Sequence, residues 1–202
     1  GVGEVLVIDE HEVGNSMTGD GLDGGPWTGD VHLDEFAPQD GERVLDEDEA
    51  LTRFVSELRL IKDEFEIAEM RRAVEITAQG FDDIIRELPA AVAHARGERV
   101  VEGVFHRRAR EDGNGEGYDT IAASGPHACY LHWTRNDGTV VPGDLILVDA
   151  GVEADSLYTA DITRTLPVSG TFTEVQRRVY ETVREAADAA FAAARVGVRF
   201  RD

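Results

Sequence analysis

Gly143-Asp-Leu-Ile-Leu-Val-Asp149-Ala-Gly-Val-Glu-Ala-Asp155-Ser-Leu-Tyr-Thr-Ala-Asp161-Ile-Thr-Arg-Thr-Leu-Pro-Val168 is the stretch on which the fold turns. Leu145 to Val148 form an unbroken apolar run, as expected of a covered strand, and Gly143 marks its start. Gly151 to Ser156 is turn-prone, and Leu157 to Leu166 resumes a β-branched and aromatic pattern around Asp161. The pattern predicts an antiparallel hairpin with Asp149 opposite Asp161 and Asp155 at the middle of the turn. Directly opposed residues share a face, with Cβ atoms about 4.5–5.5 Å apart. Two ionised carboxylates that close repel, so one takes a proton or a cation sits between them. A divalent pair held by shared carboxylates resolves the repulsion, and oxygen ligands suit Mn²⁺, Mg²⁺ or Zn²⁺. On spacing alone the alternatives stay open: each aspartate caps a turn, or pairs with Arg164.

Outward from the hairpin, Ser124-Gly-Pro-His-Ala-Cys-Tyr-Leu-His132-Trp-Thr-Arg-Asn136 precedes it, and Ala160-Asp161-Ile-Thr-Arg-Thr-Leu-Pro167 closes it. Together with Leu147-Val-Asp149-Ala-Gly151, these phrases resemble the Xaa-Pro aminopeptidases (aminopeptidase P). Those belong to the pita-bread metallopeptidases, with prolidase, methionine aminopeptidase and creatinase as relatives. The likeness runs from about Leu60 to the C-terminus. It opens on Arg59-Leu-Ile-Lys62-Asp-Glu-Phe-Glu-Ile67, the phrase with which the pita-bread domain of these aminopeptidases usually begins.

The resemblance implies roles. Asp149 and Asp161 match ligands of a dinuclear centre of two divalent ions, manganese foremost with zinc or cobalt as alternatives. The second aspartate bridges both ions. His132 matches a catalytic histidine that binds substrate and stabilises the tetrahedral intermediate, and Tyr118 matches a tyrosine beside the substrate pocket. The implied reaction is attack of a metal-held hydroxide on a peptide with proline second. The family completes its site with a later histidine and two glutamates. No histidine follows His132, and Glu174, Glu181 and Glu185 sit on a predicted helix outside the required context. The chain is therefore expected to be part of a longer enzyme and inactive alone. Prolidase is the nearest rival, and a non-catalytic pita-bread binding module is the alternative if the natural chain ends at Asp202.

Elsewhere the sequence speaks more softly. The 20 basic and 41 acidic residues give a formal charge of −21, which argues against nucleic acid or an anionic membrane as partner. The partner expected by resemblance is a peptide with proline second, with a homo-oligomer as a further option and the cytoplasm as the location. A lone Cys129 permits no internal disulfide and is expected to be a small packed residue. Residues 1–50 read as the tail of an N-terminal domain or a linker, with a short strand at Val5–Ile8 and a plain loop at 19–25. Residues 51–202 read as the first part of the pita-bread domain.

Three further helices are predicted in that part. In the first, Ile67, Met70, Val74, Thr77, Ala78, Phe81, Ile84, Ile85 and Leu88 recur at helical spacing until Pro89 stops them. The second runs from Glu98 to about Glu111 and buries Val101, Val104, Phe105 and Ala109. Tyr118 to Ala123 is a strand, and the loop 124–138 delivers His132 and Trp133 towards the hairpin. Thr173 and Gln176 form a capping box for a third helix whose apolar positions, Val175, Val179, Val183, Ala187, Ala190 and Ala194, are expected to be buried. An α+β pita-bread fold, represented by its first half, follows.

Overall fold

A computed structural model describes residues 46–199; the expected Val5–Ile8 strand and the 19–25 loop lie outside them. The described chain divides between Ile67 and Ala68 into two units. In the first, α1 (Glu47–Leu60) is started by Asp46, whose Oδ1 accepts from the Glu49 N–H at 2.8 Å, and buries none of its residues. α2 (Glu64–Val92) begins with a reciprocal cap: Asp63 N–H donates to Glu66 Oε2 at 2.7 Å, and Glu66 N–H to Asp63 Oδ1 at 2.8 Å.

The second unit holds the rest of α2, then α3 (Gly97–Asp112), β1 (Gly115–Glu116), β2 (Ile121–Ser124), a 3₁₀ turn (Gly125–Cys129), β3 (Leu145–Ala150), β4 (Val152–Glu153), β5 (Ile162–Pro167) and α4 (Glu174–Ala193). β3 is the centre of an antiparallel sheet of order β2-β3-β5, and β4 pairs with β1. The core lies between one face of this sheet and the helices α2 and α3. Ile76, Ile84 and Leu88 of α2 meet Val101, Val104 and Phe105 of α3 and Ile146, Val148 and Ala150 of β3. Thr77 fastens α2 to the strands, donating to the Ala73 carbonyl at 2.8 Å and accepting from Val152 N–H at 2.9 Å.

Several expectations need correction. β3 alternates, with Ile146, Val148 and Ala150 buried and Leu145, Leu147 and Asp149 half-exposed, so its other face is open rather than covered. Pro89 does not end its helix, which runs on to Val92. A proline in the last turn displaces only the bond its own N–H would have made, and Ala93 N–H still reaches the Pro89 carbonyl at 3.2 Å. The buried stripe of α2 is rotated: Thr77, Phe81, Ile84 and Leu88 are inside, but Ile67 and Ile85 are exposed, while Ala73 and Ile76 take inner positions. Cys129 is exposed rather than packed. The capping box of α4 forms as expected, but no residue of α4 is buried, and Val175, Val179 and Val183 are 72%, 58% and 63% exposed. An apolar stripe states that a face favours cover; among the described residues nothing supplies it. No helix among the described residues is long and apolar enough to cross a membrane.

α2 and α3 are also joined through a buried charge. Asp83, 2% exposed, accepts from Arg108 Nε at 2.7 Å and also pairs with Arg86. The hydrogen bond and charge of Arg108 hold the Asp83 carboxyl below its ordinary value against the opposing effect of burial. A carboxylate whose pKa falls on folding stabilises the fold above the unfolded value of 3.8, and that contribution is lost as pH drops through the lower folded value. Asp83→Asn is therefore expected to melt below the parent at pH 7. The gap between the two should narrow in thermal melts as pH falls below that value.

Candidate metal centre

The open face of β3 carries Asp149, and Asp161 immediately precedes β5. The hairpin register sets Asp149 opposite Thr163 and Ala150 opposite Ile162, not Asp149 opposite Asp161. Its closing turn is correspondingly displaced: Ala154 N–H bonds the Tyr158 carbonyl at 2.9 Å and Leu157 N–H the Ala154 carbonyl at 2.8 Å, with Leu157 at φ 69°. The tip is thus centred on Ser156 rather than Asp155. A two-residue shift keeps the side chains on the same face because strand orientation repeats every second residue. Asp161 becomes the diagonal neighbour of Asp149.

Tyr118 brings them together. Its hydroxyl lies 2.6 Å from Asp149 Oδ1 and 2.9 Å from Asp161 Oδ1. One phenolic proton serves only one carboxylate at a time, so the other faces the oxygen without a donor. Burial, followed by the two carboxylates with Asp149 first, pushes the Tyr118 hydroxyl far above its ordinary range, which keeps it protonated. Among the described residues neither aspartate has an ion-pair partner, and Arg164 donates instead to the Thr163 carbonyl at 2.8 Å. The pairing with Arg164 is not what forms. Two convergent carboxylates on an open face, with no protein cation between them, suit a divalent ion that takes oxygen ligands. They supply two side chains of a ligand set, and no group of three or more candidate ligands occurs among the described residues.

Gly151 makes the convergence sterically possible. A Cβ there would lie 1.5 Å from the Ala160 carbonyl oxygen and 3.0 Å from the Tyr118 ring. Only a residue without a side chain lets the strand preceding Asp161 and the tyrosine ring approach β3 so closely.

His132 stands on an exposed turn after the 3₁₀ segment, and its backbone carbonyl accepts from Thr134 N–H at 3.1 Å. The structure brings Tyr118, Asp149 and Asp161 together; no contact joins His132 to the aspartates. Trp133, beside it, stacks on His127 with ring centroids 3.9 Å apart. Under both lies Glu98, fully buried at the start of α3. Its Oε1 accepts from Ser124 N–H and from His127 Nδ1, each at 2.8 Å. Its Oε2 accepts from Gly138 N–H at 2.7 Å and Trp133 Nε1 at 3.0 Å. Asn136, at φ 45°, accepts from Ala122 N–H at 2.9 Å and donates to the Thr120 carbonyl at 2.8 Å. The sequence reading overlooked Glu98, because an acidic residue in a first helical turn ordinarily serves the helix dipole.

The described fold is an antiparallel sheet backed by helices, with two carboxylates converging on its open face. The model of metallopeptidase family M24 matches residues 68–202, and the chain belongs to that family. The chain is 54% identical over 159 residues to Xaa-Pro aminopeptidase 1 of Streptomyces coelicolor, covering 79% of this chain and 32% of that protein. It is 53% identical over 173 residues to Xaa-Pro aminopeptidase 2 of the same organism, covering 86% and 36%. Among solved structures, the zinc-substituted Escherichia coli aminopeptidase P in complex with product matches at TM-score 0.59 and 38% identity, over 68% of this chain and 30% of that one. The same enzyme with the inhibitor Pro-Leu matches at TM-score 0.58 and 40% identity, over 67% and 30%. The fold is thus part of a pita-bread domain, and the chain spans about a third of the length of these relatives.

Proposed function

We propose that the gene product carrying this chain is a metal-dependent aminopeptidase that releases the first residue from peptides with proline in the second position. The observation that carries the reading is the convergence of Asp149 and Asp161 on one hydroxyl with no ion-pair partner among the described residues. The names of the relatives, Xaa-Pro aminopeptidases at 53–54% identity, supply the substrate class. A divalent pair, manganese foremost, would activate water and polarise the scissile carbonyl. Within this chain, Asp149 and Asp161 would hold the ions, and Tyr118 would fix the orientation of both carboxylates through its hydroxyl. His132 would donate a hydrogen bond to substrate from the exposed turn. Retention of both aspartates disfavours a non-catalytic pita-bread module.

The test is a cleavage assay on the gene product with Mn²⁺. Release of alanine from Ala-Pro-Ala, with little from Ala-Ala-Ala, is the expected result. Equal cleavage of both would remove the proline specificity, and cleavage of Ala-Pro alone would favour prolidase.

A further inference from the structure

We propose that Glu98 is a positioning residue: a buried carboxylate at the start of α3 that holds the loop 124–138 in the one conformation that presents His132. The inference rests on the reading of His132 as the substrate-side histidine. Glu98 grips this loop at four places, Ser124, His127, Trp133 and Gly138, which flank His132 on both sides and include its immediate neighbour. A fifth bond, from Glu98 N–H to the Gly138 carbonyl at 3.2 Å, ties the helix start to the loop end.

The chemistry selects glutamate in particular. Four donors converge on two oxygens, two on each, and only a carboxylate without its proton accepts at both. Glutamine has nearly the same shape but offers one acceptor oxygen and an NH₂ group. With its amide nitrogen in place of Oε2, the Trp133 and Gly138 N–H groups face two further donors; with it in place of Oε1, Ser124 N–H does, while His127 has to take the tautomer that accepts at Nδ1. Each donor comes from a residue far along the chain from Glu98, so the contacts specify loop conformation rather than helix stability. The His127–Trp133 stack and the Arg135 guanidinium 5.6 Å from the Trp133 ring centre extend the anchored surface around the indole. His132 itself is left exposed, held by its neighbours and free to meet a ligand.

NMR of this chain tests the assignment without requiring activity. In Glu98→Gln, the N–H groups that then face the amide nitrogen, Trp133 with Gly138 or else Ser124, should exchange with solvent roughly ten-fold faster or more, as expected when an acceptor is lost. The ring signals of His132, identified with His132→Gln, should move, while those of Tyr118 and the β3 amides stay in place. Trp133→Phe, which keeps an aromatic ring but removes one of the four donors, should shift His132 in the same direction by a smaller amount. If Glu98→Gln fails to fold, Trp133→Phe decides the matter. Unchanged His132 signals in the folded variants would overturn the proposal. So would a shift spread equally over Tyr118 and β3, which would mark Glu98 as a general structural residue. The aminopeptidase reading fails separately, in the Ala-Pro-Ala assay, where absence of cleavage leaves these signals unaffected. If that assay succeeds, Glu98→Gln should lower kcat/KM while Mn²⁺ binding is retained.

Discussion

Gly151→Ala should unfold the hairpin end of the sheet and cost about 3 kcal/mol or more of stability. The added Cβ would sit 1.5 Å from the Ala160 carbonyl oxygen, and that atom is backbone, so no rotamer change relieves the clash. The strand before Asp161 must move away from β3. Ala160 N–H would then lose the Val152 carbonyl that it now reaches at 3.1 Å, and Tyr118 would lose at least one carboxylate. In thermal melts the variant should fall by roughly 6–12 °C, given about 2–4 °C per kcal/mol for a chain of this size. Gly103→Ala is the control: it lies within α3, its added methyl would meet no atom within 4 Å, and alanine favours helix by roughly 0.5–1 kcal/mol. A Gly151→Ala protein that melts with the parent would contradict the close approach.

Asp149→Ala and Asp161→Ala are expected to have the largest effect on activity. Each removes one of the two carboxylates and leaves the other beside Tyr118 with fewer ligands for an ion. A loss of roughly a thousand-fold or more in kcat/KM, about 4 kcal/mol of transition-state stabilisation, is the expected outcome in the Ala-Pro-Ala assay. Both variants should fold, because both side chains lie on the open face of the sheet and the core on the other face is untouched. Cleavage within ten-fold of the parent in either variant would remove that aspartate from the site.

The hairpin shows how much of this was legible beforehand and where reading stopped. Alternation put Asp149 and Asp161 on one face, and any register differing by two residues preserves that relation. The register itself depends on a turn that Leu157 closes at positive φ, a conformation for which the sequence carries no glycine signal. α3 was readable nearly to the residue because Val101, Val104, Phe105 and Ala109 mark a single buried stripe between Gly97 and Gly113. The stripe of α4 was equally visible in Val175, Val179 and Val183, yet periodicity reports that a face is apolar and not what lies against it. Glu98 was illegible for a different reason. Its burial is made tolerable by donors 26 to 40 positions away, and such a pairing exists only once the loop has folded over the helix.

Metal binding at the paired aspartates is tested most directly by titrating Mn²⁺ into the chain and following line broadening by NMR. With a charge of −21, many surface carboxylates will gather Mn²⁺ weakly, so position rather than total uptake is the informative quantity. The ring signals of Tyr118 should broaden first, at less than one equivalent of metal, and that early broadening should vanish in Asp149→Asn. Broadening that begins elsewhere, or that persists at Tyr118 in Asp149→Asn, would contradict the assignment of this face as the metal centre.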